Sequence, residues 1–209
     1  MKLRLVSRVL VLALVVVVGS IIVVHDRLAQ SHPTSTPASK LAGIDLGREP
    51  APNFALVDQN GAPVSLEAQR GHPVVLTFLY THCPDECPLT AEKLHTTVQS
   101  LGPRAADVRW LVVSIDPVGD TPADASQFVA AHHLTGQVHY LLGTQSQLQP
   151  VWDAYHIAVQ PGADAQAQVR SVTHSLGVYV IDGQGHERAY FDQTFDPGEL
   201  TGDLRALLG

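Results

Sequence analysis

Cysteine is nearly missing from this chain. Its 209 residues hold two, four positions apart, at Cys83 and Cys87. Two thiolates are too few for an iron–sulfur cluster, which takes four, and leave a four-coordinate structural zinc two ligands short. The C-x-x-C spacing of common thiol oxidoreductases is absent as well. Basic charge is scarce: 13 Lys and Arg face 20 Asp and Glu. Residues 1–30 hold four of the cations and one acid, which leaves 9 against 19 and a formal charge of −10 beyond them. So acidic a domain lacks the surface that neutralises phosphates, which excludes nucleic acid as a partner. It suits a cationic partner or none in particular. No internal repeat is visible.

There is one long apolar run, at residues 9–24, and Lys2, Arg4 and Arg8 precede it. That is a basic segment followed by a hydrophobic one. His25, Asp26 and Arg27 follow at once and leave no small-x-small cleavage site. We therefore expect an uncleaved single-pass anchor over residues 1–30, with the N-terminus cytoplasmic and the rest of the chain extracytoplasmic at the cell membrane. Residues 31–45, with Pro33, Pro37 and a run of Ser and Thr, read as a flexible linker. Residues 46–209 are long enough to bury a core of their own. Outside the cytoplasm, disulfides are permitted.

Within that domain, residues 53–57 and 64–66 read as strands about the turn Asp58-Gln59-Asn60-Gly61. Residues 74–80 are almost wholly apolar, as in a strand buried on both faces. Pro88 suits the first position of a helix that Gly102-Pro103 stops. Residues 108–115 form a second apolar strand, Asp120-Thr121-Pro122 opens a helix, and residues 138–142 form a third strand. A helix is expected at 147–155, a polar loop at 161–170, a fourth strand at 175–181, a return strand at 188–191 and a last helix from Pro197. This order predicts an α/β fold of thioredoxin-like plan, a central mixed sheet flanked by helices.

The two cysteines fall in Tyr80-Thr81-His82-Cys83-Pro84-Asp85-Glu86-Cys87-Pro88, between a strand end and a helix start. Unpaired amides and the positive end of the helix dipole favour a thiolate there. Thiolate is both a nucleophile and a metal ligand. A disulfide remains possible at this spacing, although a bridge closing so short a loop stabilises little. Soft thiolates also select Cu(I), which is content with two or three ligands. Of the 11 histidines, His174 is the candidate third ligand, because it follows a polar stretch and stands at the entrance to a strand. Asp116 and Asp120 read first as capping residues, and Trp110 and Trp152 as core aromatics.

The cysteine block, Val113-Ser114-Ile115-Asp116-Pro117 with Asp120-Thr121-Pro122, and Thr173-His174-Ser175 together resemble the three sequence blocks of the Sco (SenC) family. Asn53-Phe54-Ala55-Leu56 and Leu141-Leu142-Gly143-Thr144 are similar to it too, so the likeness spans about residues 48–195. The resemblance implies a membrane-anchored, thioredoxin-fold copper protein, with Cys83, Cys87 and His174 as ligands to Cu(I) or Cu(II). It implies service to the dinuclear copper site of cytochrome c oxidase subunit II, with another copper chaperone or a thioredoxin-like reductant as further partners. Glu86 departs from the apolar residue the resemblance leads one to expect.

Two functions stay open at this point. One is a copper metallochaperone, which is not an enzyme in the ordinary sense. The other is a thiol–disulfide oxidoreductase, in which Cys83 and Cys87 are the catalytic redox pair and His174 tunes a thiolate.

Overall fold

The computed structural model describes residues 41–161, 169–173 and 177–209, with side chains given outside 160–176. The apolar run at 9–24 and His174 lie outside the described residues. Among those that are described, no helix is long and apolar enough to cross a membrane.

The elements in chain order are β1 (Ile44–Asp45), β2 (Ala55–Asp58), β3 (Pro63–Ser65), β4 (Val74–Leu79), α1 (Glu86–Leu101), β5 (Arg109–Ser114), α2 (Pro122–Ala131), β6 (Val138–Leu142), α3 (Gln145–Ala154), β7 (Ala158–Pro161), β8 (Val169–Thr173), β9 (Val178–Ile181), β10 (Glu187–Phe191) and α4 (Pro197–Leu208). Eight strands make one sheet in the order β1-β10-β9-β4-β5-β6-β2-β3. The centre, β4, β5 and β6, is parallel. β9 joins β4 antiparallel, and β2 joins β6 antiparallel.

Every residue of β4 is buried, because helices cover both faces of the sheet. Val75 and Leu79 pack with Ala91 and Leu94 of α1, Phe128 of α2 and Leu200 and Leu204 of α4. Leu76 and Phe78 point the other way, to Leu148 and Trp152 of α3 and to Tyr155 and Tyr179. Burying each such side chain contributes about 1.5–3 kcal/mol. This two-sided mixed sheet is the thioredoxin-like arrangement that the element order predicts.

Helix ends follow local chemistry. Gly102 takes φ +58 at the end of α1, a left-handed conformation that glycine adopts without steric penalty. Thr121 caps α2, accepting the Asp124 amide while Asp124 bonds back. Trp110 and Trp152 are core residues, as expected, and their indole N–H groups donate to the carbonyls of Ala105 and Ser114.

Two features depart from the sequence reading. Ile44 and Asp45 form a short strand against β10, and the amides of Ala42 and Gly43 donate to the buried Asp203 carboxylate of α4. The two ends of the stretch read as a polar loop belong to β7 and β8, an antiparallel ribbon separate from the main sheet, while residues 162–168 lie outside the described residues. Val159 of β7 packs against the core, but strands this short carry little periodicity to find.

Candidate metal and thiol site

β4 and β5 run parallel and end together. Hydrogen bonding continues one step past them, from the Ile115 amide to the Leu79 carbonyl. The chain then leaves β4 through residues 80–85 and enters α1 at Glu86, two residues earlier than Pro88 suggests. Cys87 and Pro88 therefore both lie in the first turn. The N-cap, Asp85, makes no side-chain cap bond. Sulfur takes that part instead: the Cys87 amide donates to Cys83 Sγ at 3.4 Å. The sequence brings both cysteines to this point, and both are free thiols.

They are not equivalent. Cys87 is fully buried among Leu79, Ala91 and their neighbours, whereas Cys83 is partly exposed at the edge of that cluster. A hydrogen bond from the Cys87 thiol is the main cause that lowers Cys83 to about 5. The Asp85 and Cys87 amides and the Tyr80 hydroxyl add to this, against the opposing effect of burial. The same bond, with burial, drives Cys87 strongly upward. Tyr80 moves up as well, chiefly through burial and then through its bond to Cys83. The pair therefore carries one thiolate, on Cys83, with Cys87 as its proton-bearing donor.

The second loop, from β5 to α2, holds the first in place. Asp120 is buried, and its Oδ1 accepts the Thr81 amide at 2.8 Å and the Thr81 hydroxyl at 2.7 Å. Its Oδ2 accepts the Ser114 hydroxyl at 2.6 Å and the Tyr140 hydroxyl at 3.1 Å. Burial raises its pKa, and the Ser114, Thr81 and Tyr140 bonds hold it partly back. Sequence reasoning gave Asp120 a capping role. Thr121 is the cap, and Asp120 turns inward to fix the backbone two residues before Cys83. No local signal announces this, since Thr81 and Asp120 are 39 positions apart. Asp116 behaves locally, its Oδ1 accepting the Val118 and Gly119 amides of its own turn.

His82 is exposed, as expected beside a strand end, and its Nδ1 is 3.0 Å from the Thr81 hydroxyl. It lines a groove of about 290 Å³ with Pro88, Asp124, Phe128 and His132. Each of the two loops, continued into the first turn of α1, exposes one large apolar side chain, Leu89 and Val118. Among the described residues, no set of three His, Cys, Asp or Glu is arranged to hold a metal. The donor set still fits a soft cation. Two sulfurs share one proton at a rigid turn, and a metal gripping both has a single proton to displace.

The comparisons with known proteins agree with this geometry. The SCO1/SenC family model matches residues 45–209. A SCO2-like protein of Rickettsia typhi is 29% identical over 207 residues, covering 94% of this chain and 95% of that one. Among solved structures, Bradyrhizobium japonicum ScoI with copper bound is 26% identical at a TM-score of 0.67, covering 75% of this chain and 98% of that chain. A fold match at the same TM-score, 21% identical and covering 80% and 98%, is BsSco, a Sco-family cytochrome c oxidase assembly protein in which a disulfide switch was identified. A family match that begins at residue 45 and runs to the last residue takes in both loops and both cysteines: the chain belongs to the SCO1/SenC family.

Proposed function

We propose that this chain is a copper-binding assembly factor. Copper is its cargo, held by Cys83, Cys87 and His174 and passed by ligand exchange to the dinuclear copper site of cytochrome c oxidase subunit II. Residues 1–30 anchor it, the chain from there to Lys40 tethers it, and the domain from Leu41 onward, which takes in the last residues of the expected linker, works on the extracytoplasmic side. The observation that carries this reading is the sulfur pair itself, one thiolate and one thiol in contact at a rigid helix start, in a family whose relatives are solved with copper bound. The reach of the chain supports His174. The Gly177 carbonyl accepts the Thr77 hydroxyl of β4 at 2.9 Å, and Val178 pairs with Thr77. β9 thus starts near the end of β4 from which the cysteine loop leaves. Two residues lie between His174 and Gly177, so the three steps span at most about 11 Å.

Anaerobic titration of the reduced chain with Cu(I), against a competing chelator, tests this. One equivalent held tightly, and held more weakly by His174→Ala, is the expected result. Equal affinity in His174→Ala removes that residue from the site. No binding by the wild type removes the copper reading.

A second reading rests on the inequality of the two thiols. The half-exposed Cys83 thiolate attacks one sulfur of a target disulfide and releases the other as thiolate. The Cys87 thiol then loses its proton and attacks Cys83 Sγ. The result is a Cys83–Cys87 disulfide and a fully reduced target. A thioredoxin-like reductant, or another copper chaperone bearing thiols, restores the pair. Replacing His174 would weaken this reaction without abolishing it.

A further inference from the structure

A second group of imidazoles lies on α1 beyond Cys87. His95 is eight residues further along the helix, about 12 Å along its axis. Its Nδ1 is buried and has no hydrogen-bond partner among the described residues. Its Nε2 is 2.8 Å from the Gln99 side-chain nitrogen, which donates to it. The His133 ring faces it, with ring centroids 5.4 Å apart and planes inclined at 46°. His133 holds φ +57 just past the end of α2, a left-handed position where glycine is the usual residue. A histidine there is conformationally unfavourable, yet it brings a second imidazole ring beside that of His95.

The spacing has a chemical meaning. Two imidazoles that share one ion at about 2.0–2.1 Å per nitrogen, with a tetrahedral angle between them, place their ring centres roughly 5 Å apart. The Gln99 amide supplies the outer support. Turning that amide over brings its oxygen to His95, where it accepts the Nε2 proton and leaves Nδ1 with a lone pair for the ion. His132 is not available in the same way, since its Nδ1 bonds Glu92 at 2.9 Å and its ring packs on Phe128.

We propose that His95 Nδ1 and His133 form a two-imidazole site for a tetrahedral divalent ion of the Zn(II) class, with water completing the coordination. The site is separate from the thiol pair and chemically harder. An ion there ties the C-terminal end of α2 to α1, behind the groove that His132 shares with the cysteine loop.

The test uses the full-length chain carrying Cys83→Ser and Cys87→Ser, titrated with Zn(II) against a chromophoric chelator. One equivalent is expected at micromolar affinity, on the order of 10⁻⁶ M, together with a rise in thermal midpoint at excess Zn(II). His95→Gln and His133→Gly should each weaken binding at least about tenfold and remove the thermal rise. His174→Ala and His186→Gln should leave both unchanged. His133→Gly relaxes the backbone and keeps the test valid if His95→Gln folds poorly. A cysteine-free chain that takes up no Zn(II), or a His133→Gly variant that binds as the parent does, overturns the proposal. Neither result bears on Cys83, Cys87 or copper.

Discussion

The two loops that leave β4 and β5 start side by side and divide the labour. The β4–α1 loop carries both sulfurs but does little to hold itself. Its helix cap is a sulfur bond, and its N-cap side chain is unused. The β5–α2 loop carries no nucleophile and is densely bonded: Asp116 closes its turn, Thr121 caps its helix, and Asp120 reaches across to Thr81. Reactive groups need access and freedom to exchange ligands, so the rigidity that positions them comes from a neighbour. In this site the thiols and their support lie on different stretches of chain.

The largest effects belong to the sulfurs. Cys83→Ser and Cys87→Ser should each reduce Cu(I) retention to background while leaving the fold intact, read by chelator competition beside far-ultraviolet circular dichroism. Cys87 is the more sensitive for stability, because it is fully buried and Ser places a hydroxyl among Leu79, Ala91 and Leu94. A cost of about 1–3 kcal/mol in urea is expected there, and less at Cys83. If Cys83→Ser destabilised the fold as much, the first loop would be holding more of the structure than its contacts indicate.

Asp120 comes next. Asp120→Ala strands the donors of Thr81, Ser114 and Tyr140 in or at the edge of the core, and should cost about 3 kcal/mol. It should also weaken copper binding roughly 10–100-fold, the usual effect of losing an outer support. Asp116→Ala removes only turn bonds to Val118 and Gly119 and should cost about 1 kcal/mol, with copper affinity unchanged. Equal losses of copper affinity in the two variants would break the division between the loops.

This contrast also marks how far the sequence could be read. The β4 and β5 runs, the Gly102 stop, the Thr121-Pro122 helix start and the pairing of Cys83 with Cys87 are local signals: apolar runs, turn residues, short spacings. The thioredoxin-like plan and the family followed from them. Asp120 was legible as a helix-start residue, but its inward turn depends on Thr81 and Tyr140, which only the closed sheet brings near. The β1–β10 pairing and the β7–β8 ribbon were hidden for a related reason. Each is short: β1 gains its hydrogen bonds from a distant partner, and the β7–β8 ribbon pairs neighbouring segments outside the main sheet. His95 and His133 belong to the same class, since nothing in a helix or a helix end announces that two such ends will meet.

The acid–base difference between the thiols gives a prediction with a definite sign. Cys83 titrates near 5 in the folded chain, against 9.0 for an ordinary thiol. A depressed pKa stabilises the fold above the unfolded value, and that stability is lost as pH falls through the folded one. The metal-free, reduced protein should therefore lose part of its stability between about pH 9 and pH 5. Alkylation of Cys83 by iodoacetamide should rise with pH through a midpoint near 5 and be flat by neutral pH. Cys87 should stay unmodified in the folded chain. A Cys83 midpoint above 8 would mean that the two sulfurs do not share a proton, and the inequality on which both functional readings draw would be lost.

The smallest effect sharpens the same point. Tyr80 donates to Cys83, but its bond ranks below those from the Cys87 thiol and the Asp85 and Cys87 amides. A hydrogen bond of net worth about 1 kcal/mol corresponds to under about one pH unit. Tyr80→Phe should thus move the Cys83 alkylation midpoint upward by less than a unit and leave copper affinity nearly unchanged. The chief acceptor relation joins Cys83 in the loop to Cys87 in the first turn of α1, and Tyr80→Phe leaves it in place. A shift of several units would show the thiolate to be held from the strand side by Tyr80. The first turn of α1 would then be a bystander, and the support of this loop would have to be sought in β4 rather than in the helix it opens.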